Sequence, residues 1–370
     1  MLPPNQDRPP DFRSGGMKTN LFLFLLMLGS GSVSAYGFTL NITNRTYPGG
    51  GQAALDALAD ALESSFNNSI ASASNQDSFL QAVGNANAGS SRSFLAPGVQ
   101  TSSDKFLLGF GGSMALALGS GSSVSSGISV PANQLPPIGV GAKTGVTVMI
   151  PAKNIKIAWP VDASKLSVGA SFYSMDLSSL IGNGISLQSM QASLGFGYQM
   201  YSPKDWSPFI RFNGFRISSG LTYSTFDATY RTPFNLTQSD GLTNMTWNSN
   251  VDIGVSSSVF SLTNQVTTGV RLLWILNVFT GMGVDFNFGS SQLTGGSTGP
   301  VTGTATGGGG TVFTGTATVD GSSNGTSPNF VQLRYLAGAS LPLGPFELFA
   351  QGQVSTASVY GLNFGMNLQF

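Results

Sequence analysis

From Lys105 onward the chain alternates between two kinds of residue. Phe106, Leu108, Phe110, Met114, Leu116 and Leu118 are apolar, and the intervening positions hold Lys105, Gly109, Gly111, Ser113, Ala115 and Ala117. A period of two predicts a β-strand with one greasy face and one small or polar face. The same pattern recurs at Val140 to Ile150, Leu166 to Phe172, Met190 to Met200, Val266 to Trp274, Val278 to Phe288, Val331 to Leu341, Phe346 to Val354 and Tyr360 to Phe370. A further strand near Pro208 to Tyr223 changes parity at Gly214. Ile210 and Phe212 mark its apolar face at first, then Ile217, Leu221 and Tyr223. A bulge at Gly214 is expected, because otherwise Arg216 would lie on the greasy face.

These strands run to roughly 10–15 residues, longer than soluble strands and suited to crossing hydrocarbon at a tilt. Their joins alternate in length. Tyr201–Ser207, Ile275–Asn277 and Pro342–Pro345 are short, whereas Gly119–Gly139, Thr225–Ser261 and Gly289–Ser327 are long and rich in Gly, Ser, Thr or Asn. Short turns on one side and long loops on the other predict an all-β transmembrane antiparallel up-and-down β-barrel. The count is about ten strands, or twelve if Trp247–Val255 and a neighbour form another spanning hairpin. With Phe370 on the short-turn side, Trp159, Tyr201, Trp206, Trp274, Phe346 and Phe370 fall at one membrane interface, as an aromatic girdle would. A soluble secreted β-sandwich is the competing fold, since alternation also occurs there.

Ahead of the strands the pattern differs. Lys18, the apolar run Leu21 to Leu28 and the small residues up to Ala35 read as a secretory signal peptide over residues 1–35, with 1–16 as a possible mis-assigned start. Residues 36–103 then carry helical spacing. Leu55, Leu58, Leu62 and Phe66 fall on one face of a helix from Gln52 to Phe66, and a second helix is expected from Gln76 to Ala86. The region is expected to pack at the periplasmic side or the barrel mouth, or to plug the lumen. Residues 104–370 form the barrel.

Composition narrows the chemistry. The chain has 49 glycines, 16 basic and 16 acidic residues, and neither cysteine nor histidine. Disulfides, thiolate catalysis, Cys/His metal sites and imidazole proton transfer are therefore excluded. No metal or cofactor is expected, the charge balance argues against nucleic acid, and the chain does not read as an enzyme. By alternation Lys105, Lys143, Arg211, Arg271 and Arg334 point into the lumen with Asp285 and Glu347, leaving it positive.

The ending Tyr360-Gly-Leu362-Asn-Phe364-Gly-Met366-Asn-Leu368-Gln-Phe370 resembles the carboxyl-terminal insertion signal of Gram-negative outer-membrane β-barrel proteins. Together with the signal peptide and the long strands, the resemblance covers residues 104–370 at the level of the class. It implies an outer-membrane location, contact with outer-membrane lipid and lipopolysaccharide, and handling by the barrel-assembly machinery. Barrel enzymes of that class use histidine, which this chain lacks. The expected function is a narrow, porin-like channel for small solutes, with mild anion preference from Arg211, Arg271 and Arg334. The alternatives are a structural or surface-recognition barrel acting through its long outer loops, and uptake of apolar solutes past an amino-terminal plug.

Overall fold

A computed structural model describes residues 39–48, 51–70, 76–92, 105–119, 138–155, 161–178, 184–306 and 310–370. Residues 1–35, read as a signal peptide, lie outside the described residues, as does Trp159. The strands are β1 (Thr39–Thr46), β2 (Leu107–Leu118), β3 (Ile138–Pro151), β4 (Leu166–Asp176), β5 (Ile185–Tyr201), β6 (Lys204–Ser207) and β7 (Ile210–Ser239). They continue as β8 (Thr243–Leu272), β9 (Leu276–Ala305), β10 (Thr311–Ser322), β11 (Val331–Leu343), β12 (Phe346–Ser355) and β13 (Val359–Gln369). Two helices, α1 (Gln52–Ile70) and α2 (Gln76–Ser90), fall between β1 and β2.

The expected up-and-down barrel of about ten strands, with twelve as the alternative, is corrected by the sheet order. The sheet has thirteen strands in the order β1-β10-β9-β11-β12-β13-β2-β3-β4-β5-β7-β6, with β8 off this path and paired to both β7 and β9. Among the described residues β1 and β6 each pair on one side only, so the sheet is not the plain up-and-down cylinder expected. It also branches, since β9 pairs with β8, β10 and β11. The error lay in the segments read as loops. Thr225–Ser261 and much of Gly289–Ser327 are strand, because β7, β8 and β9 each run for 30 residues. Trp247–Val255 belongs to β8 and is no separate hairpin. A strand of that length is about three times what crossing hydrocarbon requires.

Alternation sets the two faces. Phe110, Met114, Phe172, Leu194, Phe196, Met282, Leu333, Leu362 and Phe364 are exposed, while Ser113, Lys143, Gln191, Gln265, Asp285, Gln332, Gln351 and Asn363 are buried. This inverts the arrangement of a soluble protein, whose large apolar side chains face inward. The strand through Gly214 bulges as its parity implied. Register shifts between Phe212 and Phe215, Gly214 has φ +79°, and Arg216 turns inward to be almost fully buried.

The far halves of β7, β8 and β9 join β10 and β1 in an extension with its own apolar core. Leu55, Leu58 and Leu62 of α1 pack there with Leu40, Ile42, Met245, Trp247, Val301 and Phe313. Among the described residues β1 pairs only with β10, which leaves its other edge without a strand. That edge is covered by side chains at Ile42. Its N–H donates to Glu63 Oε1 at 2.6 Å, and its carbonyl accepts from Arg45 Nε at 3.1 Å. Arg45 in turn holds Asp56, Asp60 and Glu63 at 2.9–3.1 Å. The Tyr47 hydroxyl also donates to Asp56. That hydroxyl, followed by the guanidinium, keeps the Asp56 carboxyl below the usual carboxylate range.

Candidate functional site

The candidate site is the polar interior, and α2 occupies it. This helix packs against β2, β3, β7, β8, β9 and β13, strands that lie on opposite sides of the sheet order. Its sequence suits a tight channel better than an oily core, for it reads Gln-Asp-Ser-Phe-Leu-Gln-Ala-Val-Gly-Asn-Ala-Asn-Ala-Gly-Ser. On one side small residues permit close approach. Ala82 and Ala86 cluster with Ala115, Ala117, Ala357 and Val359. A side chain at Gly139 would collide with the backbone of Ala82, which explains the glycine there.

The rest of the contact is hydrogen-bonded. Lys143 Nζ on β3 donates to Asn87 Oδ1 at 2.9 Å, Ser91 Oγ at 2.8 Å and Ser224 Oγ at 2.7 Å. Asn85 Oδ1 accepts from Gln332 Nε2 at 2.9 Å, and Gln353 Nε2 donates to the Gly89 carbonyl at 3.1 Å. Just past α2, Arg92 Nη2 lies 2.9 Å from Asp285 Oδ2 and 2.7 Å from Gln332 Oε1. Asp285 also receives Arg334 Nε at 3.0 Å, and Arg334 Nη1 donates to Gln265 Oε1 at 2.9 Å. One buried carboxylate thus bridges two buried guanidiniums, one from the segment just past α2 and one from β11.

The remaining predicted charges lie elsewhere. Arg211 is about half exposed, 3.7 Å from Asp205. Its cross-strand neighbour Arg271 donates to Asn277 Oδ1 at 2.9 Å. Glu347 accepts from Ser340 Oγ at 2.6 Å and Gln369 Nε2 at 2.7 Å. Lys105 is exposed beside the start of β2. Asp285 and Glu347 are therefore held by different partners and do not form a carboxylate pair. Among the described residues no group of three or more Asp or Glu could hold a metal ion.

The aromatics expected at a membrane interface gather at the short-turn end. Tyr201, Trp206, Trp274, Phe346 and Phe370 are all exposed there. Trp206 stacks on Phe212 with centroids 5.1 Å apart, and Trp274 meets Phe209 at 5.7 Å. Trp274 sits at φ +60° beside Leu273 at φ +49°, a turn geometry that normally selects Asn or Gly. In the terminal strand Tyr360, Leu362 and Phe364 are exposed on the apolar face that also carries Met366 and Leu368, and Phe106 and Phe370 exchange both backbone hydrogen bonds.

Alternation alone did not reveal Arg92, Asn85 or Asn87, because they lie on the helix or just past it. The available signal was that the large apolar residues of α2 stop at Val83 and give way to Gly, Asn, Ala and Ser, whereas α1 carries its leucines through Leu62.

These observations define an all-β protein with an apolar outer face, a polar interior and a helix packed into that interior. The chain belongs to the Lsa36-like family, whose profile matches residues 38–370. No curated protein matches it. Among solved structures it is similar to a CymD monoaromatic hydrocarbon channel, at 9% identity and a TM-score of 0.27 over 79% of this chain and 98% of that one. CdiB from Acinetobacter baumannii gives 9% identity and a TM-score of 0.17 over 71% and 60%. A Rhodopseudomonas blastica porin triple mutant gives 9% and 0.15 over 72% and 100%. Overlap this loose carries neither fold nor function to the present chain.

Proposed function

We propose that the chain is an outer-membrane protein whose polar interior is a passage for small hydrophilic solutes, stoppered by α2. The observation that carries this reading is the chemistry of the α2 contact. α1 is anchored by Leu55, Leu58 and Leu62, whereas α2, beside its alanine contacts and the buried Leu80 and Val83, is held by amides, hydroxyls and charges that water can replace. The exposed apolar face supports membrane embedding, with outer-membrane lipid and lipopolysaccharide around it and the assembly machinery as its route in. A mild anion preference is supported by Lys143 and Arg216, neither of which pairs with a carboxylate among the described residues.

The test uses the absence of cysteine. Ser90→Cys with Gly141→Cys brings together Cβ positions 3.1 Å apart, and because the new Cβ also meets the Ala86 carbonyl oxygen at 2.7 Å, α2 must move outward by several tenths of an ångström to reach the ~3.8 Å of a relaxed disulfide. In planar bilayers the reduced variant should open and the oxidised one should stay shut. Equal conductance in both states would reject α2 as the stopper, and silence of wild type and of Arg92→Gln would reject the passage.

A second reading is favoured by the extension, whose separate apolar core makes it a folded platform for surface recognition. Proteolysis of intact cells should then cut within the extension. Complete protection on intact cells combined with cleavage after lysis would reject it.

A further inference from the structure

The outer face of the extension is unusually regular. Thr237 pairs with Thr246, Thr246 with Thr302, Thr302 with Thr314, and Thr314 with Thr46. Five threonines from five strands therefore stand in one rank, with neighbours about 4.8 Å apart. The Oγ1 atoms of Thr237 and Thr246 are 3.2 Å apart, and those of Thr46 and Thr314 are 2.5 Å apart.

Further along the same face, toward the apolar belt, the sheet dips into an open cavity of about 610 Å³. Hydroxyls of Thr229, Thr294 and Ser322 line it, with Asp252 and Asp320 at its sides and Gly296 among its wall residues. Asp252 is engaged by Arg231 through two bonds of 2.6 and 2.7 Å. Asp320 is exposed and has no ion pair among the described residues. A side chain at Gly296 would meet nothing within 4 Å.

We propose that this cavity, with the threonine rank beyond it, binds an uncharged glycan. The volume falls in the range of small-ligand sites. Hydroxyl groups both donate and accept, as sugar hydroxyls do, and a free carboxylate accepts from neighbouring sugar hydroxyls. Other partner classes fit the face poorly. Among the described residues beyond Tyr223, Phe260 and Phe288 it exposes no large apolar side chain except Leu242 in the β7–β8 turn, so it lacks the anchors of a protein or lipid contact. Its one arginine in this zone, Arg231, is paired, so polyanions find no free cation.

The inference deepens the surface-recognition reading and is independent of whether α2 moves. Full-length protein in detergent micelles is screened on an array of neutral oligosaccharides, with sulfated and sialylated ones as charged controls. The expected result is binding to one or more neutral glycans, reduced at least tenfold by Gly296→Phe and by Asp320→Ala. Gly296→Phe fills the cavity without backbone strain, and unchanged Trp fluorescence verifies the fold. Binding to no neutral glycan, or only to charged ones, overturns the proposal, as does full binding by both variants. Because the screen uses purified protein, its failure leaves the proteolysis test of the extension's location standing.

Discussion

The guanidinium of Arg92, just beyond α2, lies 2.9 Å from the carboxylate of Asp285 on β9, and both side chains are buried. Since Asp285 also holds Arg334, its removal strands two buried cations. Asp285→Asn is expected to destabilise the fold by about 3–5 kcal/mol, the typical cost of breaking a buried pair. Arg92→Gln should cost less, because Arg334 still neutralises Asp285. Thermal unfolding in detergent micelles checks the order of the two variants.

The Arg45 cluster predicts an acid-sensitive extension. Asp56 has a folded pKa held below its ordinary value, so its contribution is present above the unfolded pKa and is lost as pH falls through the folded one. Lowering pH from 6 to about 3, across and below the usual carboxylate range, should loosen α1. Increased amide exchange in α1 at low pH, with little change in β2 to β5, is the expected result.

Trp247 is fully buried in the core beneath α1. Trp247→Ala should cost roughly 3–5 kcal/mol and act locally. Limited proteolysis should then cut the extension faster than in the wild type while β11 to β13 stay protected.

Phe370 and Phe106 exchange two backbone bonds, and their rings lie 6.0 Å apart. Replacing Phe370 by Ser should slow assembly, read as a larger heat-insensitive fraction on semi-native electrophoresis. Normal assembly would remove the importance of this end of the sheet.

The ten long alternating segments and their inward and outward faces were legible because a two-residue period records which side is wet. The bulge was legible for the same reason, since Arg216 could not share a face with Ile210 and Phe212. The extension was not legible. Its Thr-, Ser- and Gly-rich strands have water on one face and their apolar positions, such as Ile42, Met245, Val301 and Phe313, are spread over four strands, so the local pattern looks like loop. The interior was half legible. Alternation marked Lys143, Asp285 and Arg334, but nothing in the strands announced that a helix would supply Asn87 and Arg92 to them.

The capped edge of β1 also bears on how copies of the molecule tolerate one another. An open strand edge in a crowded two-dimensional layer is a template for the same edge of a neighbour. By occupying the N–H and carbonyl of Ile42 with Glu63 and Arg45, the chain denies a visiting strand its central pair of bonds, so side-by-side stacking would have to displace an ion-pair network before it could begin.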